Sequence, residues 1–182
     1  MSTSNSDAAA VFTRLSKPLP GFNLTSTDLD PSKPIGIAQV GDTFGCSGQN
    51  LSPQLSWVGA PKGTQSFAVV CYDPDAPTGS GWWHWLLFNL PASTNALPTG
   101  TGSADGARLP AGAAQAITDY GVPGYGGPCP PPGHGPHRYY FRVHALGVPK
   151  LELPAGASAA LVGFNINGNT LATAELLATY SR

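Results

Sequence analysis

Glycine and proline set the terms for this chain. Twenty-three glycines and nineteen prolines are spread through 182 residues, so much of the backbone must be turn and irregular loop rather than long helix. They are densest at 119–136, DYGVPGYGGPCPPPGHGP, which can hold neither a helix nor a central strand. Prolines fix φ there and glycines allow close approach, so the segment is a stiff irregular loop. Long loops in compact domains are often functional. A mainly β protein follows.

The chain is long enough to bury a proper core in one unit, and only 10% of its residues are charged. The formal net charge is −1, with no run of Lys or Arg, so an electrostatic nucleic-acid surface is set aside. The N-terminus has neither the basic start nor the apolar stretch of a secretory signal. No apolar run approaches the roughly 18 residues of a membrane span. A cytoplasmic location is the default. Residues 1–20 read as a poorly ordered tail ahead of a single unit over 21–182. Of the three cysteines, Cys71 lies in an apolar run and behaves as a small buried hydrophobe. A Cys46–Cys129 bridge is conceivable, but the sequence gives no distance.

The chemistry concentrates in 73–89, DPDAPTGSGWWHWLLFN. Residues 66–72, SFAVVCY, are apolar at nearly every position and predict a strand buried on both faces. Asp73 therefore sits at a strand end. Residues 83–90 predict a second strand, with His84, Leu86 and Phe88 on one face and Trp83, Trp85 and Leu87 on the other. A buried imidazole needs a partner, and Asp73 is the best placed locally. Such an aspartate would favour the protonated ring. Further strands are expected at 22–24, 55–58 and from His137, where His137, Tyr139, Phe141, Val143 and Ala145 share one face. Arg138, Tyr140, Arg142 and His144 take the other, more polar face. Residues 92–114 read as a long surface connection and 157–165 as a short helix. Residues 170–180 have helical composition yet follow a turn signal, so composition leaves helix and strand both open.

DPDAP, then WWHW, then GYGGPCPPPGHGPHRY, in this order and spacing, resemble the phosphatidylethanolamine-binding protein family. That family includes the Raf kinase inhibitor proteins and plant flowering-time regulators. The likeness is greatest to its bacterial YbhB/YbcL-type branch and runs from about Phe22 to the end. It implies a β-sandwich of two antiparallel sheets with a few short helices, and a small anion pocket at one end. By the same resemblance, Asp73, His84, Gly127, Pro128, Pro130, His137 and Tyr139 match the ligand-binding set. Asp75 matches a supporting aspartate, and Pro77, Trp83 and Trp85 are support. A cis Ala76–Pro77 bond, a strand over about 171–180, and pairing into a homodimer also follow from it. His134, in a proline run longer than that of eukaryotic members, receives no role.

The expected roles are these. Asp73 orients and charges His84, His84 and His137 donate to ligand oxygens, Tyr139 lines the pocket, and residues 127–130 shape its rim. Without the resemblance, Asp73 and Asp75 equally suit an Asp-Pro turn, His84 a satisfied core histidine, and His137 an ordinary strand start. The leading function is binding of a phosphoryl or carboxylate group, a phospholipid headgroup or a phosphorylated protein partner, with no cofactor. The alternative is a small-molecule enzyme using the Asp73/His84 pair. It lacks a G-x-S-x-G nucleophile, which leaves Cys129 as the only plausible thiol. A metal site of Asp73, His84 and His137 ranks last, since no close-spaced ligand motif is present.

Overall fold

The computed structural model describes residues 6–182, with side chains from residue 8. In chain order the elements are α1 (Ser6–Arg14), β1 (Asn23–Thr25), β2 (Leu55–Val58), β3 (Ser66–Asp73), β4 (Trp82–Pro91), β5 (Ala96–Leu97), β6 (Ala114–Gln115), β7 (His137–Leu146), α2 (Ala159–Asn169) and β8 (Thr170–Tyr180). Among the described residues they form two antiparallel sheets, one of three strands in the order β1-β2-β5 and one of five in the order β6-β4-β3-β7-β8.

β3 lies at the centre of the large sheet, and every residue of SFAVVCYD is buried. One core fills the space between the sheets: Leu55 and Trp57 of β2 meet Phe67, Val69 and Cys71 of β3 and Tyr139, Phe141 and Val143 of β7. The second lies on the other face of the large sheet. There Ala68, Val70, Leu86 and Phe88 pack beneath Phe12 of α1 and Val162 and Ile166 of α2. A strand covered on both faces needs no polar alternation, which is why β3 is apolar throughout.

β8 resolves the ambiguity of the C-terminal segment. It pairs along β7 from His137↔Tyr180 to Leu146↔Thr170, and this ladder overrides helical composition. α2 begins two residues later than expected and runs further. Ser158 caps it by accepting from the Leu161 N–H at 3.3 Å. The surface connection over 92–114 contains the short edge strand β5 and the start of β6. No peptide bond among the described residues is cis, so Ala76–Pro77 is trans, against expectation.

The poorly ordered tail is also corrected, apart from residues 1–5, which lie outside the described residues. α1 occupies Ser6–Arg14, and Phe12 is buried, stacked on Tyr72 with ring centroids 4.7 Å apart. The cause lies on the polar face of β7, which is not a solvent face. Arg142 is buried there, donating from Nη1 to the Phe12 carbonyl at 3.0 Å and from Nε to Glu175 at 2.8 Å. Its guanidinium carbon lies 3.7 Å from the Phe12 ring centroid. A buried guanidinium needs this set of partners, and α1 supplies half of it. Beyond α1, the Thr173 N–H donates to the Lys17 carbonyl at 2.7 Å, tying the segment to β8.

His144, on the same face, donates from Nδ1 to Thr170 Oγ1 at 3.0 Å. Burial, with the nearby charges of Arg142 and Lys17, pushes its pKa down to about 3. The unfolded chain takes up this proton near pH 6.5 and the folded chain does not, so stability is full above pH 6.5 and falls on acidification. Urea unfolding should therefore show a loss of about 1 kcal/mol per pH unit below pH 6.5 that His144→Gln removes. Phe12→Ala should destabilise the fold by about 3 kcal/mol in the same measurement.

Candidate functional site

A cavity of about 320 Å³ opens where β3 ends and β4 and β7 begin. A β-bulge positions its first histidine. Cys71 pairs with Trp85 and Tyr72 with Trp83, so His84 is the extra residue of β4. The bulge breaks the expected alternation. Trp85 and Leu87 face the core between the sheets, whereas Trp83 joins Leu86 and Phe88 on the helix-covered face, packed on Tyr72 at 4.5 Å. His84 is set edge-on to Tyr139 with centroids 5.1 Å apart.

The expected Asp73–His84 pair does not form. Asp73 is buried and its Oδ2 accepts from His137 Nδ1 at 2.7 Å. Its Oδ1 accepts from the backbone N–H groups of Asp75 and Ala76 at 2.7 and 3.1 Å. The antiparallel pairing of β3 with β7 brings Asp73 and His137 to the same end of the sheet, a relation local spacing cannot show. His137 has no nitrogen to spare for a ligand, because its Nε2 lies 2.8 Å from His134 Nδ1. One of the two rings donates to the other across this contact. His134 thus ends an Asp73–His137–His134 chain.

His84 donates from Nδ1 to the Gly126 carbonyl at 2.6 Å. Burial lowers its pKa, and the attraction of Asp73 recovers only part of the shift. Burial thus works against the charged ring expected from the sequence. Asp75 does support the loop. Its carboxylate receives Arg138 Nη2 at 2.6 Å and both Arg138 Nε and the backbone N–H at 2.8 and 2.9 Å. Burial alone would raise the Asp75 pKa, but these bonds hold it below the ordinary range.

The sequence matches the phosphatidylethanolamine-binding protein family over residues 25–181. The chain belongs to that family. It is 48% identical to the UPF0098 protein YbcL of Escherichia coli over 159 residues, 87% of each protein. To YbhB of the same organism it is 49% identical over 160 residues, 88% of this chain and all of that protein. The crystal structure of E. coli YbcL superposes with a TM-score of 0.87, covering 89% of this chain and 99% of that one. A family homologue from Chlamydia trachomatis gives 0.73 at 31% identity, covering 89% and 98%.

In this member of the phosphatidylethanolamine-binding protein family, Asp73, His84, Pro130, His137 and Tyr139 all line the cavity. Gly127 and Pro128 do not. They brace the rim from behind, with the Gly41 N–H donating to the Pro128 carbonyl at 3.0 Å. Gly127 packs so closely on residues 39–41 that an added Cβ would lie 2.1 Å from the Gln39 carbonyl oxygen. Phe44, Trp82, Tyr120 and Arg182 also form the wall, and sequence reasoning missed them. Trp82 had a signal, standing beside two recognised tryptophans. Arg182 had none, since only folding brings the C-terminus to the rim, where Nε donates to the Pro130 carbonyl at 2.6 Å.

Two polar atoms at this cavity are buried without a partner, the Tyr139 hydroxyl and the Trp82 Nε1–H. Among the described residues no group of three His, Cys, Asp or Glu is placed to hold a metal ion. Cys129 is joined to Cys46 in a disulfide with a Cα–Cα distance of 6.0 Å, which removes the only thiol considered as a nucleophile. The bridge closes a loop across a separation of 83 residues and ties the rim to the segment carrying Phe44. A Cys46→Ser/Cys129→Ser double variant should lose about 2–4 kcal/mol of stability, read by calorimetric melting.

Proposed function

We propose that this cavity binds small anionic groups, a phosphoryl group or a carboxylate, and that the chain acts as a binding protein for them. The observation that carries the reading is the pair of unpartnered donors, Tyr139 Oη and Trp82 Nε1, buried at the cavity wall. Buried polar groups are almost always paired, and a ligand oxygen would satisfy both. Arg182 adds the positive charge, and the aromatic and proline walls lower the dielectric around it. A phospholipid headgroup and a phosphorylated partner protein offer the same chemistry to the cavity. Membership of the phosphatidylethanolamine-binding protein family supports the first of these.

The enzyme reading loses its footing. It relied on an Asp73–His84 pair or a Cys129 thiolate, and Asp73 bonds His137 while Cys129 is oxidised. The disulfide bears on location as well. No helix among the described residues is long and apolar enough to cross a membrane, but disulfides persist chiefly in oxidising compartments. We therefore favour such a compartment over the cytoplasm expected from the sequence.

Tyr139→Phe tests the pocket with little risk to the fold, because the hydroxyl it removes has no protein partner. Tryptophan fluorescence titrated with phosphate, phosphoethanolamine or acetate should show saturable binding in wild type and about tenfold weaker binding in the variant. Thermal stability should be unchanged or slightly raised. Absence of binding by every anion in wild type would overturn the proposal.

A further inference from the structure

His134 stands exposed in the proline-rich loop, yet its ring is spent on another histidine. Its Nδ1 lies 2.8 Å from His137 Nε2, with the ring centroids 5.1 Å apart. His137 is buried in the cavity wall, and its other nitrogen donates to Asp73 Oδ2 at 2.7 Å. His134 is not part of that wall. It covers, from outside, the one nitrogen that His137 could turn to a bound anion.

The contact has room for a single hydrogen. Two imidazole nitrogens at hydrogen-bond distance need one N–H and one lone pair between them. The pair therefore holds together with neither ring charged, or with one ring charged. Once both are imidazolium, two N–H groups face each other and two like charges stand side by side, so the contact breaks. This follows from the count of hydrogens, whichever ring donates first.

His134 is the ring that leaves. His137 is held by Asp73 and by the ladder of β7 with β8, where it pairs with Tyr180. His134 sits between Gly133 and Gly135, at φ 73° and 85°, and a Cβ at either glycine would meet nothing within 4 Å. Its backbone N–H donates to the Pro131 carbonyl at 3.2 Å, and that of Gly133 to the Arg182 carbonyl at 2.9 Å. The backbone thus stays while the side chain swings into open solvent. Asp73 of β3 bonds His137 and Asp75 in the following turn attracts it, so acid groups steady a charge on that ring. Further positive charge is opposed by His84 of β4. Arg138 of β7 is paired with Asp75, and the Arg182 guanidinium brings its own charge to the same rim.

Resting on the anion-binding reading, we propose that His134 is a proton-operated cap on His137. At neutral pH the cap is closed and His137 gives nothing to the cavity. On acidification the second proton ejects the His134 ring. It uncovers a His137 Nε2–H, still oriented by Asp73, that donates to a bound anion.

Nuclear magnetic resonance of the full chain reads the cap directly, at about pH 7.5 and about pH 5, which bracket the imidazole range. A ring-to-ring Overhauser contact between His134 and His137 should be present at the higher pH and absent at the lower, with the folded spectrum otherwise kept. Persistence of the contact at the lower pH overturns the proposal. Calorimetric titration with sulfate, whose charge is constant over this range, reads the consequence. His134→Ala removes the cap at an exposed loop position and leaves an uncovered His137 free to take up a proton with the anion. The variant should bind sulfate about fivefold more tightly than wild type at the higher pH and equally at the lower. Weaker binding by the variant at both, as for a residue that itself contacts the anion, overturns the cap, and so does equal binding at both. Sulfate bound by neither protein overturns the anion-binding reading, and the Overhauser contact then decides the cap alone.

Discussion

The carboxylate of Asp73 holds this end of the molecule together. It ends β3, closes the turn that follows by accepting two backbone N–H groups, and fixes His137 at the first position of β7. It is buried on all sides, and both of its oxygens are held in hydrogen bonds, as a buried polar group requires. These bonds explain its role: Asp73 places the turn, the strand start and, through His137, the His134 ring.

That arrangement divides the site into a framework and a contact surface. Asp73, Asp75, His137 and Arg138 bond chiefly to one another and to backbone. Trp82 and Tyr139 keep unmatched atoms at the cavity beside His84, and the rim around them is assembled from distant parts of the chain. The disulfide joins residues 46 and 129, and Arg182 reaches the carbonyls of Phe44 and Pro130. A loop rich in proline has few conformations to lose, and these cross-ties remove most of the rest. The walls are consequently held in one arrangement.

Sequence patterns showed the strands well because burial leaves a direct trace in composition. β2 and β7 fall where alternation puts them, and β3 is apolar because two cores cover it. Parity failed at His84, where one inserted residue moves Trp83 to the opposite face from Trp85. A bulge changes nothing in residue type, so alternation cannot reveal it. The tail failed for a related reason. Residues 6–20 are polar enough to read as disordered, and the buried Arg142 that requires Phe12 lies 130 residues away. Pairings within the site were hidden likewise. Asp73 is eleven residues from His84 but bonds to His137, 64 residues on, since strand order rather than sequence distance decides which groups meet.

The unpartnered hydroxyl of Tyr139 and indole N–H of Trp82 are liabilities to the fold, each costing on the order of 1–3 kcal/mol when left dry. Phenylalanine at 139 would relieve the first of these and leave the ring edge-on to His84. Trp57 Nε1, in the core between the sheets, is also unpartnered, but among the described residues two such groups lie together only at the cavity. Tyr139 Oη and Trp82 Nε1 both lie at the wall of one cavity, beside a framework in which Asp75 and Arg138 pair with each other.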